Sequence, residues 1–318
     1  GYEVAREQFV ISTTTDKDNL PVLDEYKPDG GTITVNGTTV SGNKTNGNAY
    51  SVAFDNNGKM TSWTYAGKEL LKAGFDFNSA RNIDNDKEIN RYVPVAYNST
   101  TRISNNLAKA GDNYTMTVAG TATNCSYTID YTFYPDATVD MKVTFTPSGD
   151  TRRLGLGVQF AEGFENVEYY GRGPWSNYTD RKTGSYLGRY YSTVDDMLEE
   201  LVRPQTNGDH QDLRELTLSN ASNDISLNIK TAGRVAFSLS HYDDANWCDT
   251  NTLWDTKSHW YDLTKAPQVY AHFDYWQRGL GNNSCAGDTS LSEYRCPASG
   301  SYSYTLRITP SYNGGTTK

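Results

Sequence analysis

The sequence predicts an all-β protein built as a large antiparallel sandwich, and three observations carry that expectation. Apolar and polar residues alternate over long runs, giving each run one apolar face. Clusters of Gly, Pro, Asn and Asp punctuate the runs. Only TVDDMLEELV, at 193–202, has the spacing of a helix.

From the N-terminus, GYEVAREQFVIS (1–12) reads as one strand and the polar TTTDKDNLPVLDEYKPDGG after it as a linker. A lone strand cannot satisfy its own backbone. Residues 1–27 are therefore expected to close a preceding domain and lead out of it, with the sandwich domain at 28–318. YSVAFDNNGKMTSWTY is a hairpin turning at Asn57 and Gly58. In YTIDYTF, Tyr127, Ile129, Tyr131 and Phe133 share a face. The turn YPDA follows, where Pro135 presets φ and Asp136 caps the backbone, and Val139, Met141, Val143 and Phe145 alternate on the return. Ile225, Leu227 and Ile229 mark another strand, and Val235, Phe237 and Leu239 the next, with TAG between them. No fixed-period repeat occurs, which argues against a propeller or solenoid.

Although only 36% of the 318 residues are apolar, 24 Tyr, 10 Phe and 6 Trp supply a core. A net charge of -9 repels phosphate backbones, so no nucleic-acid partner is expected. No apolar run approaches the ~20 residues that span a bilayer, so no membrane partner is expected either. The chain opens on Gly1 without a signal-peptide pattern and reads as a cleaved or cut-out segment whose compartment is open.

Candidate chemistry is sparse. Cys125, Cys248, Cys285 and Cys296 lack C-x-x-C spacing; a Cys285–Cys296 bridge and unpaired thiols both stand. His210, His241, His259 and His272 are scattered, so no metal is expected. In RNIDNDKE, Asp84, Asp86 and Glu88 suit either calcium or, as the favoured reading, a polar loop bonded to its own backbone. Glu168, Asp180, Asp212, Glu215, Asp243 and Asp244 offer carboxylates, but nothing selects a catalytic pair. Three segments combine planar aromatics with Arg, Asp, Asn and Gln, as a sugar site needs: 169–185, 202–216 and 274–288. The first, YYGRGPWSNYTDRKTGS, has neither a helix nor a strand period and reads as loop.

At these segments the sequence resembles the C-terminal (fifth, small-chain) domain of family-two β-galactosidases of the lactase type. Gly171, Gly173, Pro174, Asn177, Tyr178, Asp180, Arg181 and Thr183 match its G-x-GP-x-ENY-x-DR-x-T pattern, and Pro204, Asn207, Gly208, Arg214 and Leu216 match P-x-ENG-x-R-x-x-x-R-x-L. Ser176 and Thr206 replace the glutamates of the two patterns. Arg81, Asp84, Asn85 and Asp86 match an R-x-x-x-DND loop, QRGLGNNSC is similar to G-x-GG-x-x-SW, and GYEVAREQF to the strand closing an immunoglobulin-like domain.

The resemblance implies a galactose mutarotase-like supersandwich with no catalytic residue, because both catalytic glutamates lie in a preceding barrel. It implies substrate contact at Asn283, Ser284 and Cys285, the last standing where well-studied members carry a Trp. Trp276 and Trp247 are the aromatics that could substitute. It places Trp175, Tyr178, Asp180, Arg181, Arg203, Gln205, Asn207, Arg81, Asp84 and Asp86 at the groove or domain interface, mainly as architecture. No cofactor is expected to be held tightly here, and magnesium and sodium belong to the full enzyme. The implied partners are a galactoside and the barrel of the same polypeptide, a homo-oligomer being compatible. Bacterial cytoplasm and periplasm both suit such a soluble enzyme. A stand-alone carbohydrate-binding module and an aldose epimerase using Glu168 or Glu215 with His210 are the competing readings.

Overall fold

The computed structural model describes residues 6–9, 20–81, 101–202, 204–243, 259–281 and 290–312. The first strands are β1 (Thr32–Asn36), β2 (Thr39–Asn43), β3 (Ala49–Phe54), β4 (Met60–Tyr65), β5 (Lys68–Glu69) and β6 (Leu71–Asn78). Then come β7 (Thr101–Ala110), β8 (Asn113–Ala122), β9 (Cys125–Phe133), β10 (Val139–Pro147), β11 (Arg153–Phe160) and β12 (Phe164–Gly173). The last are β13 (Tyr186–Thr193), β14 (Glu215–Asn220), β15 (Ile225–Ala232), β16 (Ala236–Ser240), β17 (Val269–Gln277) and β18 (Tyr302–Tyr312).

These strands form three antiparallel sheets. A nine-stranded sheet runs β13-β12-β14-β15-β18-β10-β9-β8-β7, a four-stranded sheet β16-β17-β11-β6, and a five-stranded sheet β1 through β5. The predicted alternation sets the core. Tyr127, Ile129, Tyr131 and Phe133 of β9 and Val139, Met141, Val143 and Phe145 of β10 are all buried. They meet Leu154, Leu156, Val158 and Phe160 of β11 and Phe75 and Phe77 of β6 in one cluster. Phe77 stacks on Tyr127 with ring centroids 5.3 Å apart, joining the small sheet to the large one. The Tyr304 hydroxyl donates to the Phe273 carbonyl at 2.6 Å across the same gap. Each fully buried aromatic or aliphatic side chain contributes about 1.5–3 kcal/mol.

Both predicted hairpins form. Asp55 Oδ1 accepts from Asn57 N at 2.9 Å and Lys59 N at 2.8 Å, and Gly58 takes φ 78° at the turn. Asp136 Oδ1 accepts from Thr138 N at 3.1 Å after Pro135. Although the strands at 225–232 and 236–240 are separated by only a short turn, they belong to different sheets, β15 to the large one and β16 to the small one.

Two expectations are corrected. The helix expected at 193–202 is reduced to one 3-10 turn, Asp195–Met197, and Leu198 is already extended at ψ 128°. The next turn of helix is lost to tertiary partners: the Glu199 amide donates to Asn207 Oδ1 at 3.0 Å, and the Glu199 carboxylate accepts from Ser176 Oγ. The stretch 169–185 is not all loop. Tyr169–Gly173 end β12 and pair with β13, with Tyr169, Gly171 and Gly173 facing in and Tyr170 and Arg172 out. Inward glycines interrupt the apolar alternation, and this hides the strand in the sequence.

Residues 6–9 form no ladder, but the Gln8 side chain bonds both backbone groups of Leu187 on the edge strand β13, at 2.9 and 3.0 Å. Residues 20–29 lie on the sandwich: Pro21 O accepts from Gly233 N at 2.9 Å, and the Tyr26 hydroxyl donates to Asp136 at 2.5 Å.

Candidate functional site

The inward residues of β11 and β17 are apolar, so Arg153, Asp274 and Gln277 fall on the outward face of the small sheet. They are nevertheless almost fully buried, because the loops at 177–181 and 207–211 roof that end. Arg153 Nε lies 3.0 Å from Asp274 Oδ2, with neither side chain exposed. The Gln277 amide, turned to satisfy both neighbours, donates to Asp209 Oδ2 at 3.1 Å and accepts from Arg153 at 2.5 Å. Gln211 Nε2 donates to the same Asp209 oxygen at 2.6 Å. Burial pushes the Asp209 carboxyl up to about 7, against the opposing pull of Arg153, Gln211 and Arg81.

Asn177, fully buried, organises the roof. Its Nδ2 donates to the carbonyls of Arg172 (3.1 Å) and Trp175 (3.0 Å), and its Oδ1 accepts from Gln211 N at 3.0 Å. Two bonds then tie this loop to the chain leaving β17. The Thr179 hydroxyl donates to Gln277 O at 3.2 Å, and Asp180 Oδ2 accepts from Gly281 N at 2.6 Å. Arg81 completes the end from beneath, its carbonyl accepting from Arg152 Nη1 at 2.7 Å. Beside the roof, burial opposes the charge on Asp212, yet Lys182 Nζ at 2.6 Å and Arg172 Nε at 2.5 Å hold its carboxyl below the usual carboxylate range. Residues from five distant segments thus share one end of the sandwich.

The family model described as beta galactosidase small chain matches residues 46–308. The chain belongs to that family. Among relatives, the β-galactosidase of Staphylococcus xylosus is 28% identical over 79% of this chain, and that of Priestia megaterium 27% identical over 98%. The chain spans only 22% and 30% of the length of these two proteins. Among solved structures, a galactose 1-epimerase from Lactobacillus acidophilus aligns with 86% of this chain and 94% of its own, at a TM-score of 0.49 and 8% identity.

The small-chain motifs sort by position. Arg81, Tyr178 and Asn207 are buried, so they support the loops. Asp180 is the tie to Gly281. Gln205 serves through its carbonyl, which accepts from Asn207 Nδ2 at 2.9 Å. Trp175 is 74% exposed, and Arg181 beside it donates to Ser176 and lies over the Tyr178 ring at 5.5 Å. A bulge in the β11–β17 ladder puts Trp276 opposite Leu154, on the core side. Its Nε1 donates to Tyr294 O at 3.3 Å and Arg234 covers its ring at 4.6 Å. Asp84, Asp86, Arg203, Trp247, Asn283, Ser284 and Cys285 lie outside the described residues. Cys296 is a buried free thiol, as is Cys125.

The epimerase constellation does not assemble. His210 is buried, with Nδ1 3.3 Å from the Tyr169 hydroxyl and 3.1 Å from Arg172 O, and burial drives its pKa down to about 4. Glu168 and Glu215 sit on the opposite face of the large sheet, both beside Arg189. Among the described residues, no group of three or more His, Cys, Asp or Glu side chains is placed to hold a metal ion, and no helix is long and apolar enough to cross a membrane. Sequence reasoning missed Arg152, Arg153, Asp209, Asp274 and Gln277. Arg152 and Arg153 signal only as charge opening the strand-like run RRLGLGVQF, while Asp209, Asp274 and Gln277 fall within the singled-out segments 202–216 and 274–288 without standing out there.

Proposed function

We propose that this chain is the non-catalytic C-terminal domain of a β-galactosidase that hydrolyses terminal β-D-galactosides, and that it packs on the catalytic barrel and completes the sugar pocket. The observation that carries this reading is the tie from Asp180 Oδ2 to Gly281 N at 2.6 Å. It anchors the chain just before Asn283, Ser284 and Cys285, the segment that the family resemblance assigns to substrate. The exposed Trp175 and Arg181 are then the contacts offered to the barrel. Hydrolysis itself is supplied by glutamates outside this chain, and magnesium and sodium are held outside it too.

The test is Asp180→Ala in the full-length polypeptide, assayed on a nitrophenyl β-D-galactoside. A hydrogen bond to a charged group contributes about 1.5–3 kcal/mol, so KM should rise about tenfold or more as the loop loses its anchor. An unchanged KM and kcat, or galactoside hydrolysis by the 318-residue chain alone, overturns the reading.

A further inference from the structure

Beyond the roofed end, the outward face of the small sheet stays open. One cross-strand row there reads Asp76, Gly157, His272 and Ser238 across β6, β11, β17 and β16. The next row places Ala73, Gln159 and Tyr270 in register. Gly157 lets the Asn78 side chain close in beside it, since a Cβ there would lie 2.9 Å from Asn78 Nδ2, and a larger residue would push that side chain into the slot. The result is a cavity of about 220 Å³ lined by Lys59, Asp76, Asn78, Gln159, Tyr270 and His272.

The walls are held in place by the fold. Asp76 Oδ1 accepts from Phe77 N at 2.8 Å and from the Tyr127 hydroxyl at 3.2 Å. Asn78 Oδ1 accepts from Ala80 N at 2.8 Å, which leaves Nδ2 as the donor beside the slot. The Tyr270 hydroxyl accepts from Gln268 Nε2 at 2.8 Å, fixing an aromatic ring in the wall.

The chemistry of the lining selects a ligand class. Donors (Lys59, Asn78) and acceptors (Asp76, Asp243) converge with bifunctional amide, imidazole and phenol groups. An anion would face two carboxylates, and a large apolar ligand would strand the polar walls. The volume falls below the roughly 300–1,000 Å³ that takes a drug-sized molecule, leaving room for a single ring. We infer that this slot binds a neutral polyhydroxylated ring, a monosaccharide unit, at a site separate from the motif loops.

The experiment titrates D-galactose and D-glucose into the 318-residue chain by ligand-observed NMR, with thermal melts of every variant as the check on folding. Saturable binding of at least one sugar is expected. Gly157→Val should abolish it, and Gln159→Ala, at a half-buried position that tolerates truncation, should weaken it about threefold to tenfold. No saturable binding of either sugar, or binding that Gln159→Ala and every folded variant leave unchanged, overturns the inference. The galactosidase reading is judged separately, by hydrolysis in the full-length polypeptide, so either can fail alone.

Discussion

Replacing Asn177 by Ala should destabilise the fold by about 3 kcal/mol. The side chain makes three hydrogen bonds, two as donor to the carbonyls of Arg172 and Trp175 and one as acceptor from Gln211 N. Neutral bonds of this kind contribute about 0.5–1.5 kcal/mol each, and the Gln211 N–H, buried with its residue, would also be left without its acceptor. For a chain of this size about 2 °C of Tm follows each kcal/mol, so a fall of about 6 °C is expected, with a matching shift of the urea midpoint at unchanged slope. Asn177→Asp separates the donor from the acceptor role. It keeps the acceptor for Gln211 N but sets a carboxylate against two carbonyls at a position with no exposure. It should be worse than Ala at neutral pH and recover in acid as the carboxyl protonates. If Asn177→Ala stayed within about 0.5 kcal/mol of the parent, or Asp were tolerated better than Ala at pH 7, the reasoning about the roof would be wrong.

Three further outcomes are expected. Asp274→Asn leaves the buried Arg153 guanidinium without its charged partner at 3.0 Å and should cost about 3–5 kcal/mol in urea denaturation. The Asp209 carboxyl, raised to about 7 in the folded chain, binds more protons there than when unfolded, so its contribution to stability falls as pH rises from about 4 to 7. His210, lowered to about 4, acts in the opposite sense: its charging destabilises the fold as pH falls from 6.5 to 4. The two offset one another in the parent, so Asp209→Asn should reveal stability that climbs with pH across this window; a flat profile would refute the assignment. Burial pushes the thiols of Cys125 and Cys296 up to about 11 and about 12. In a chain carrying Cys248→Ser and Cys285→Ser, neither should react with a thiol reagent at pH 8 until denaturant is added, and rapid native labelling would contradict their burial.

The fold was legible wherever burial follows a local period. Tyr127 to Phe133 and Val139 to Phe145 alternate because each strand has one face on the core, and their turn is written in Pro135 and Asp136. The same logic failed where the period is broken. Gly171 and Gly173 face inward without an apolar side chain, so the end of β12 looked like loop. The segment after Thr193 has helical spacing, but Asn207 and Ser176 draw Glu199 away from the helix.

The motif segments likewise announced a family and not a geometry. Asp180 stands out as part of a pattern, yet nothing in the pattern says that its partner is a backbone amide 101 residues later. By itself the sequence determined the fold class, the hairpins and the family, since these depend on periodicity, turn chemistry and motif order along the chain. Only the tertiary structure decided that Arg153, Asp209, Asp274 and Gln277 form one buried polar network and that Trp276 turns toward the core. The physical reason is that desolvation, ion pairing and a single β-bulge act between residues distant in sequence, where no local period carries them.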